Sequence, residues 1–164
     1  MMATPAAIIQ AIALLVVANG APVLSNKILG KRGAWPIDNG FNLRDGQPVF
    51  GTSKTWRGLA AAILLSAVAA WLIGLNPLTG ALFGALAMVG DLLSSFCKRR
   101  MQRRESSRAR GIDTIPESLI PIALLKTALA VGWVDVMLVV ALFFLIEEFI
   151  SPLLYRLHIR KRPF

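Results

Sequence analysis

LAAAILLSAVAAWLIGLNPLTGALFGALAMVGDLLSSFC, Leu59 to Cys97, is apolar over nearly its whole length and is interrupted once, at Asn76-Pro77. About 20 apolar residues cross the hydrocarbon of a bilayer as a helix, so Leu59 to Leu75 and Leu78 to Cys97 both have roughly the length of spans. Asn-Pro between two helical runs marks a turn, and the stretch reads as two antiparallel transmembrane helices. Gly80 and Gly84, continued by Ala87 and Gly90, form a small-residue surface that lets neighbouring helices approach closely. The helix that carries them is the expected centre of the bundle, with packing inside the chain favoured over packing between chains.

The same length test, applied outward from this hairpin, adds Ala6 to Leu24, Ser118 to Trp133 and Val134 to Tyr155, the last two joined by a bend near Gly132 to Asp135. With 55% hydrophobic residues and a mean hydropathy of +0.62, the chain is expected to be an all-α integral membrane protein. The predicted fold is a single bundle of five transmembrane helices forming one domain over 1–164. The cations partition between a first loop (Lys27, Lys31, Arg32, Arg44, Lys54, Arg57), a third loop (Lys98 to Arg110) and the tail (Arg156, Arg160, Lys161, Arg162), leaving only Lys126 elsewhere. Positive charge stays on the cytoplasmic side, which places both loops and the C-terminus there and the N-terminus outside, in a multi-pass protein of the cell membrane. No cation precedes Lys27, so the first helix is expected to be a retained span, not a signal peptide. A pI near 10.9 brings nucleic acid to mind, but these cations flank spans without a nucleic-acid-binding domain, and anionic lipid is the better partner. The single Cys97 excludes an intrachain disulfide, and neither it nor the lone His158 is a functional candidate.

Between the first two spans lies Trp35 to Gly58, WPIDNGFNLRDGQPVFGTSKTWRG, which is polar and rich in glycine. Its carboxylates (Asp38, Asp45), cations (Arg44, Lys54, Arg57) and permissive backbone are the groups that phosphate and a divalent metal require. Gly46 and Gly51 have the separation of P-loop glycines, but Thr52 and Ser53 stand where Lys and Ser/Thr belong, and no strand precedes them. Phosphate binding by the Thr52, Ser53 and Thr55 hydroxyls, Lys54 and the start of the next helix is still expected, beside the plainer reading of a capped helix with an interfacial Trp56. Near the cytoplasmic end of the third span Asp91, Ser94, Ser95 and Lys98 recur at helical spacing on one face. Asp91 lies about two turns inside the first cation, where an unpaired carboxylate is costly, so it should face a cavity, a cation or a metal. Lys126 and one of the adjacent Glu147 and Glu148 are expected to neutralise each other as an intramembrane ion pair.

Taken together, Asp38-Asn39-Gly40, Asp45-Gly46, FGTSKTWRG and GDLLSSFCKRR, with the order and length of the spans, resemble the CDP-archaeol synthase family over essentially the whole chain. These are membrane cytidylyltransferases related to phosphatidate cytidylyltransferase. The resemblance implies transfer of CMP from CTP to a membrane lipid phosphate, an ether-linked archaeol-type glycerol phosphate or phosphatidate, giving a CDP-lipid and pyrophosphate with Mg²⁺. It also implies Asp91 and Asp113 as metal ligands and Asp91, Lys54 and Lys98 as catalytic groups. The nucleotide is implied on Asp38, Asn39, Ser53, Lys54, Thr55, Arg57, Ser95, Lys98 and Arg99. Two positions depart from the family pattern: Asn39 replaces a Gly, a mild change because Asn tolerates left-handed backbone, and Thr114 replaces a Gln. A CDP-alcohol phosphotransferase is set against by the absence of a spaced aspartate series after Asp45-Gly46. The non-enzymatic alternative is a small membrane transporter or lipid-binding protein whose path would run along Lys126, Glu147 and Glu148.

Overall fold

The structure is a computed structural model that describes residues 3–103 and 111–156, with side chains to 148. The basic tail with His158, and Arg104, Arg108 and Arg110 of the third loop, lie outside the described residues. Five helices follow in order: α1 (Pro5–Leu29), α2 (Trp56–Leu72), α3 (Pro77–Arg100), α4 (Thr114–Leu124) and α5 (Trp133–Arg156). Among the described residues the only β-type pairing is two isolated bridges in the first loop, Pro36 with Thr55 and Asn42 with Pro48.

Local chemistry sets the ends of these helices. Thr4 and Asn76 cap α1 and α3 through side-chain oxygens that accept the Ala7 and Leu78 N–H groups, and a proline stands just after each cap, where its missing N–H costs nothing. Thr55 caps α2 in the same way on Gly58. Gly30, with φ +55°, ends α1 while its N–H bonds Asn26 O. Asn76-Pro77 thus makes the tight α2/α3 turn expected of it.

The third helix is central, packed against α1, α2 and α4. Its glycines are what permit this. A Cβ on Gly80 would fall 2.3 Å from Ser66 O and one on Gly84 2.6 Å from Ala62 O, both on the α2 backbone. One on Gly90 would fall 2.3 Å from Pro116 O of α4. The small-residue stripe is therefore used within the chain. Leu14, Leu15, Phe83, Ile122, Val136, Val139 and Phe143 fill the interior between α1, α3, α4 and α5. Leu64, Val68 and Leu72 on α2, Leu78, Leu82 and Val89 on α3, and Met137 and Leu145 on α5 face outward. An apolar exterior of this extent is what lipid, not water, stabilises.

Among the described residues, Pro5–Leu29 and Pro77–Arg100 are long and apolar enough to cross a membrane. The fourth apolar segment departs from the sequence expectation. Ser118 to Trp133 is expected to be a span, but the helix covers Thr114–Leu124 and is followed by turns to Ala130, which has φ +52°. At 11 residues it is about 16 Å long, roughly half the hydrocarbon thickness. Pro121 removes the N–H that would bond the Glu117 carbonyl, and the helix ends one turn later with Leu125 N–H on Pro121 O.

The expected Lys126 to glutamate pair is not formed with Glu147. Lys126 Nζ lies 5.4 Å from the Trp133 ring centroid, a cation–π contact at the start of α5. Glu147 instead accepts a 2.7 Å hydrogen bond from Thr114 Oγ1. Fourteen residues separate Trp133 from Glu147 on one helix, about 21 Å of axis, so the two charges are held far apart along α5.

Candidate functional site

The site lies where the first loop closes over the polar end of α3. Loop geometry comes first. Asp38 accepts from Gly40 N on one oxygen and from Phe50 N and Gly51 N on the other, at 2.9 to 3.0 Å. One carboxylate thus ties both ends of the 38–51 excursion together. Asn39 takes a left-handed conformation (φ +48°) ahead of Gly40 (φ +75°), so Asn at that position preserves the turn. Burial opposes ionisation of Asp38, but the three backbone N–H groups outweigh it and hold the carboxyl below its ordinary range.

The tip of the loop is held to α3. Arg100 pairs with Asp45 at 2.6 Å, donates to the Gln47 and Pro48 carbonyls, and stacks over Phe96. The Gln47 N–H and the Arg100 guanidinium keep Asp45 ionised below the usual carboxylate value. The first loop therefore meets the C-terminal end of α3, as a hairpin of α2 and α3 allows.

Two lysine–aspartate pairs form the centre. Lys54 Nζ reaches both oxygens of Asp91 at 2.6 Å, joining the loop just before α2 to the interior of α3. Asp91 thus meets a cation, one of the partners its depth demanded. Lys98, two turns further along α3, pairs with Asp113 at 2.6 Å, and Ser94 Oγ donates to Asp113 O at 3.3 Å, so the start of α4 is fastened to α3. Ser95, Lys98 and Arg99 are buried, and the Arg99 Nε has no acceptor among the described residues. A buried guanidinium N–H without a partner suits an incoming anion.

Other predicted residues are engaged elsewhere. The Thr55 hydroxyl caps α2, and Arg57 donates to Asn26 Oδ1 and to the Arg32 and Gly30 carbonyls, tying the start of α2 to the end of α1. Asn39 is exposed on the loop, and Ser53 is exposed beside Lys54.

Glu117 was missed in the sequence. It is buried on α4 and feels the charges of Glu147, Asp91, Asp113 and Lys54. The sequence offers only a glutamate one turn after Asp113; its burial comes from the close approach of α4 to α3 at Gly90. Among the described residues no three His, Cys, Asp or Glu side chains form a ready-made metal cage. What the arrangement offers is a wall of lysine and arginine with carboxylates paired to the lysines.

The family model of CarS-like CDP-archaeol synthase matches residues 6–80, from α1 to the first turn of α3. The chain is 40% identical over 118 residues to the CDP-archaeol synthase of Hyperthermus butylicus, covering 68% of this chain and 67% of that protein. It is 36% identical over 104 residues to that of Pyrobaculum arsenaticum, covering 60% and 62% respectively. With that of Saccharolobus islandicus it shares 29% identity over 139 residues, 81% and 83% of the two chains. A solved structure described as an intramembrane enzyme for archaeal membrane lipids biosynthesis superposes with a TM-score of 0.68, at 24% identity over 82% of this chain and 89% of that one. The shared fold, and sequence similarity that carries the Lys54 loop along with the helices, lead to one assignment: this chain belongs to the CDP-archaeol synthase family.

Proposed function

We propose that the protein transfers CMP from CTP to the phosphate of an archaeol-type diether glycerol phosphate, releasing pyrophosphate. The observation that carries this reading is the pair of ion pairs Lys54–Asp91 and Lys98–Asp113, set on elements that the family membership covers or adjoins. An oxygen of the lipid phosphate attacks the α-phosphorus of CTP; a new P–O–P bond forms and the bond to the β-phosphate breaks. The acceptor is already an anion, so the reaction needs positioning and charge neutralisation more than a protein nucleophile or base.

Each lysine is held beside a carboxylate until a phosphate takes the carboxylate's place. Lys98 and Arg99, buried on one face of α3 beside Ser95, receive the triphosphate, and Lys54 stands next to the reacting phosphates. Asp91 and Asp113 supply hard oxygen donors that fit Mg²⁺, which is usually held by one or two carboxylates plus substrate phosphates and so needs no cage of three. Bound there, Mg²⁺ supplies neutralisation of the triphosphate charge.

In the same reading five helices lie in the cell membrane as one domain, with the first and third loops on the cytoplasmic side, where CTP is found. The apolar exterior and the basic loops support that placement. A transporter path along Lys126 and Glu147 loses support, since about 21 Å of α5 separates Glu147 from the Trp133 that Lys126 contacts.

The test is conversion of radiolabelled CTP into an organic-extractable product by purified protein with Mg²⁺ and a diether glycerol phosphate, with phosphatidate as a parallel acceptor. Asp91→Asn is expected to lower kcat on the order of 10²-fold or more. Wild-type activity in that variant, or no product from the wild type with any lipid phosphate offered, overturns the proposal.

A further inference from the structure

A cavity of about 40 Å³ opens between α1, α2, α3 and the first loop, and its lining changes character along its length. One end carries Ser53, Lys54 and Asp91; the other carries Pro22, Leu59 and Met88. Ile37 of the loop and Leu92 flank the polar end, while Pro22, Leu59 and Met88 lie on the helix side of the loop. Met88 is about one turn deeper than Asp91 on α3, Leu59 lies about one turn into α2, and Pro22 about two turns back from the end of α1. The gradient from cation to hydrocarbon therefore points into the bundle, the way a lipid points from its phosphate to its chains.

Size narrows the occupant. Some 40 Å³ is a narrow slot, far too little for a nucleoside. None of Lys98, Arg99 and Asp113 lines it. Lys98 and Arg99 stand about two turns along α3, ~10 Å from Asp91 along the axis.

We infer that this cavity is the acceptor subsite: the lipid phosphate rests against Lys54, the glycerol carbons pass Met88 and Leu59, and CTP approaches from the Lys98 side. The inference rests on the proposed cytidylyltransferase reading and divides its site in two. Lys54 moves from the nucleotide, where the family resemblance put it, to the acceptor. Tight packing at the neck keeps the subsite narrow, since a Cβ on Gly58 would approach both Pro22 Cβ and Thr55 Oγ1 to 3.2 Å. Met88 is an unbranched, adaptable wall for a flexible ligand.

Two measurements on the purified full chain in mixed micelles test this. In the first, a diether glycerol phosphate bearing a diazirine on the carbons next to the glycerol is photo-crosslinked without CTP, and the adducts are mapped by mass spectrometry. Label is expected on the peptides containing Leu59 and Met88, reduced at least about fivefold for the same diether without phosphate and by excess unlabelled lipid phosphate, but not by inorganic phosphate at equal concentration. In the second, Met88→Phe, which fills the apolar end, is expected to raise KM for the lipid phosphate about tenfold with KM for CTP within about twofold, while Met88→Leu behaves as wild type. Leu59→Phe is the alternative filling variant if Met88→Phe does not fold. Label confined to α5 or to the outer faces of α2 and α3, equal label with and without phosphate, or an unchanged lipid KM in a folded filling variant overturns the subsite. Crosslinking needs no turnover, so it reads the cavity even if the transfer reading fails; an active wild type with label elsewhere defeats the subsite alone.

Discussion

Asp38 shows how one residue organises the loop that builds a site. Its two oxygens accept three backbone N–H groups and close the loop that delivers Lys54. Because those bonds hold its folded pKa below 3.8, the carboxylate contributes stability that is full above that value and is lost as pH falls through the lower, folded one. Asp38→Asn keeps the size but removes the charge and turns a donor toward at least one of the N–H groups. The stability difference between wild type and Asp38→Asn, read from thermal melts followed by the Trp35 and Trp56 fluorescence, is therefore expected to be constant at pH 5 and above and to shrink as pH falls below 3.8. A gap that instead widened in acid would disprove the staple. Asp91 was legible without a structure, because a carboxylate two turns inside a helix end must meet something. Glu117 was not, because its burial depends on how closely α4 approaches α3.

At the scale of elements, the α3 glycines set the spacing of the site. Gly90 is adjacent to Asp91 and touches the α4 backbone, so the distance from Asp91 to Asp113 is fixed by the absence of a side chain there. Gly90→Ala would set a Cβ 2.3 Å from Pro116 O, and since a backbone carbonyl cannot swing aside, α3 and α4 must part. A loss of about 1–3 kcal/mol of stability is expected, together with a fall in transfer activity as the Lys98–Asp113 pair is pulled from Asp91. Gly20, with nothing within 4 Å of its would-be Cβ, is the control: Gly20→Ala is expected to be neutral or to stabilise by up to about 1 kcal/mol. Melting of both variants in one detergent checks the pair. The hairpin turn and α3 followed from Asn76-Pro77 and the small-residue spacing. The length of α4 did not, since Pro121 and the turns after Leu124 interrupt a stretch whose composition alone passes for a span.

For the whole molecule, the basic first loop sets the expected orientation. With the first loop on the cytoplasmic side, a cysteine placed at the exposed Arg44 in a Cys97→Ser background is expected to react with a membrane-impermeant maleimide in inverted vesicles and not in intact cells or right-side-out vesicles. Labelling from outside would reverse the topology and remove the route for CTP. The sequence by itself determined the helical order, the hairpin, the polar end of α3 and the family, because hydropathy, turn chemistry and local motifs act over a few neighbouring residues. Only the tertiary structure decided which charges pair, that Lys126 meets Trp133 and Glu147 meets Thr114, that α4 is a short helix against Gly90, and that the Lys54 loop roofs an amphipathic cavity. Each of these depends on distances between segments far apart in the chain, set by close packing of backbone on backbone, and no local pattern encodes such distances.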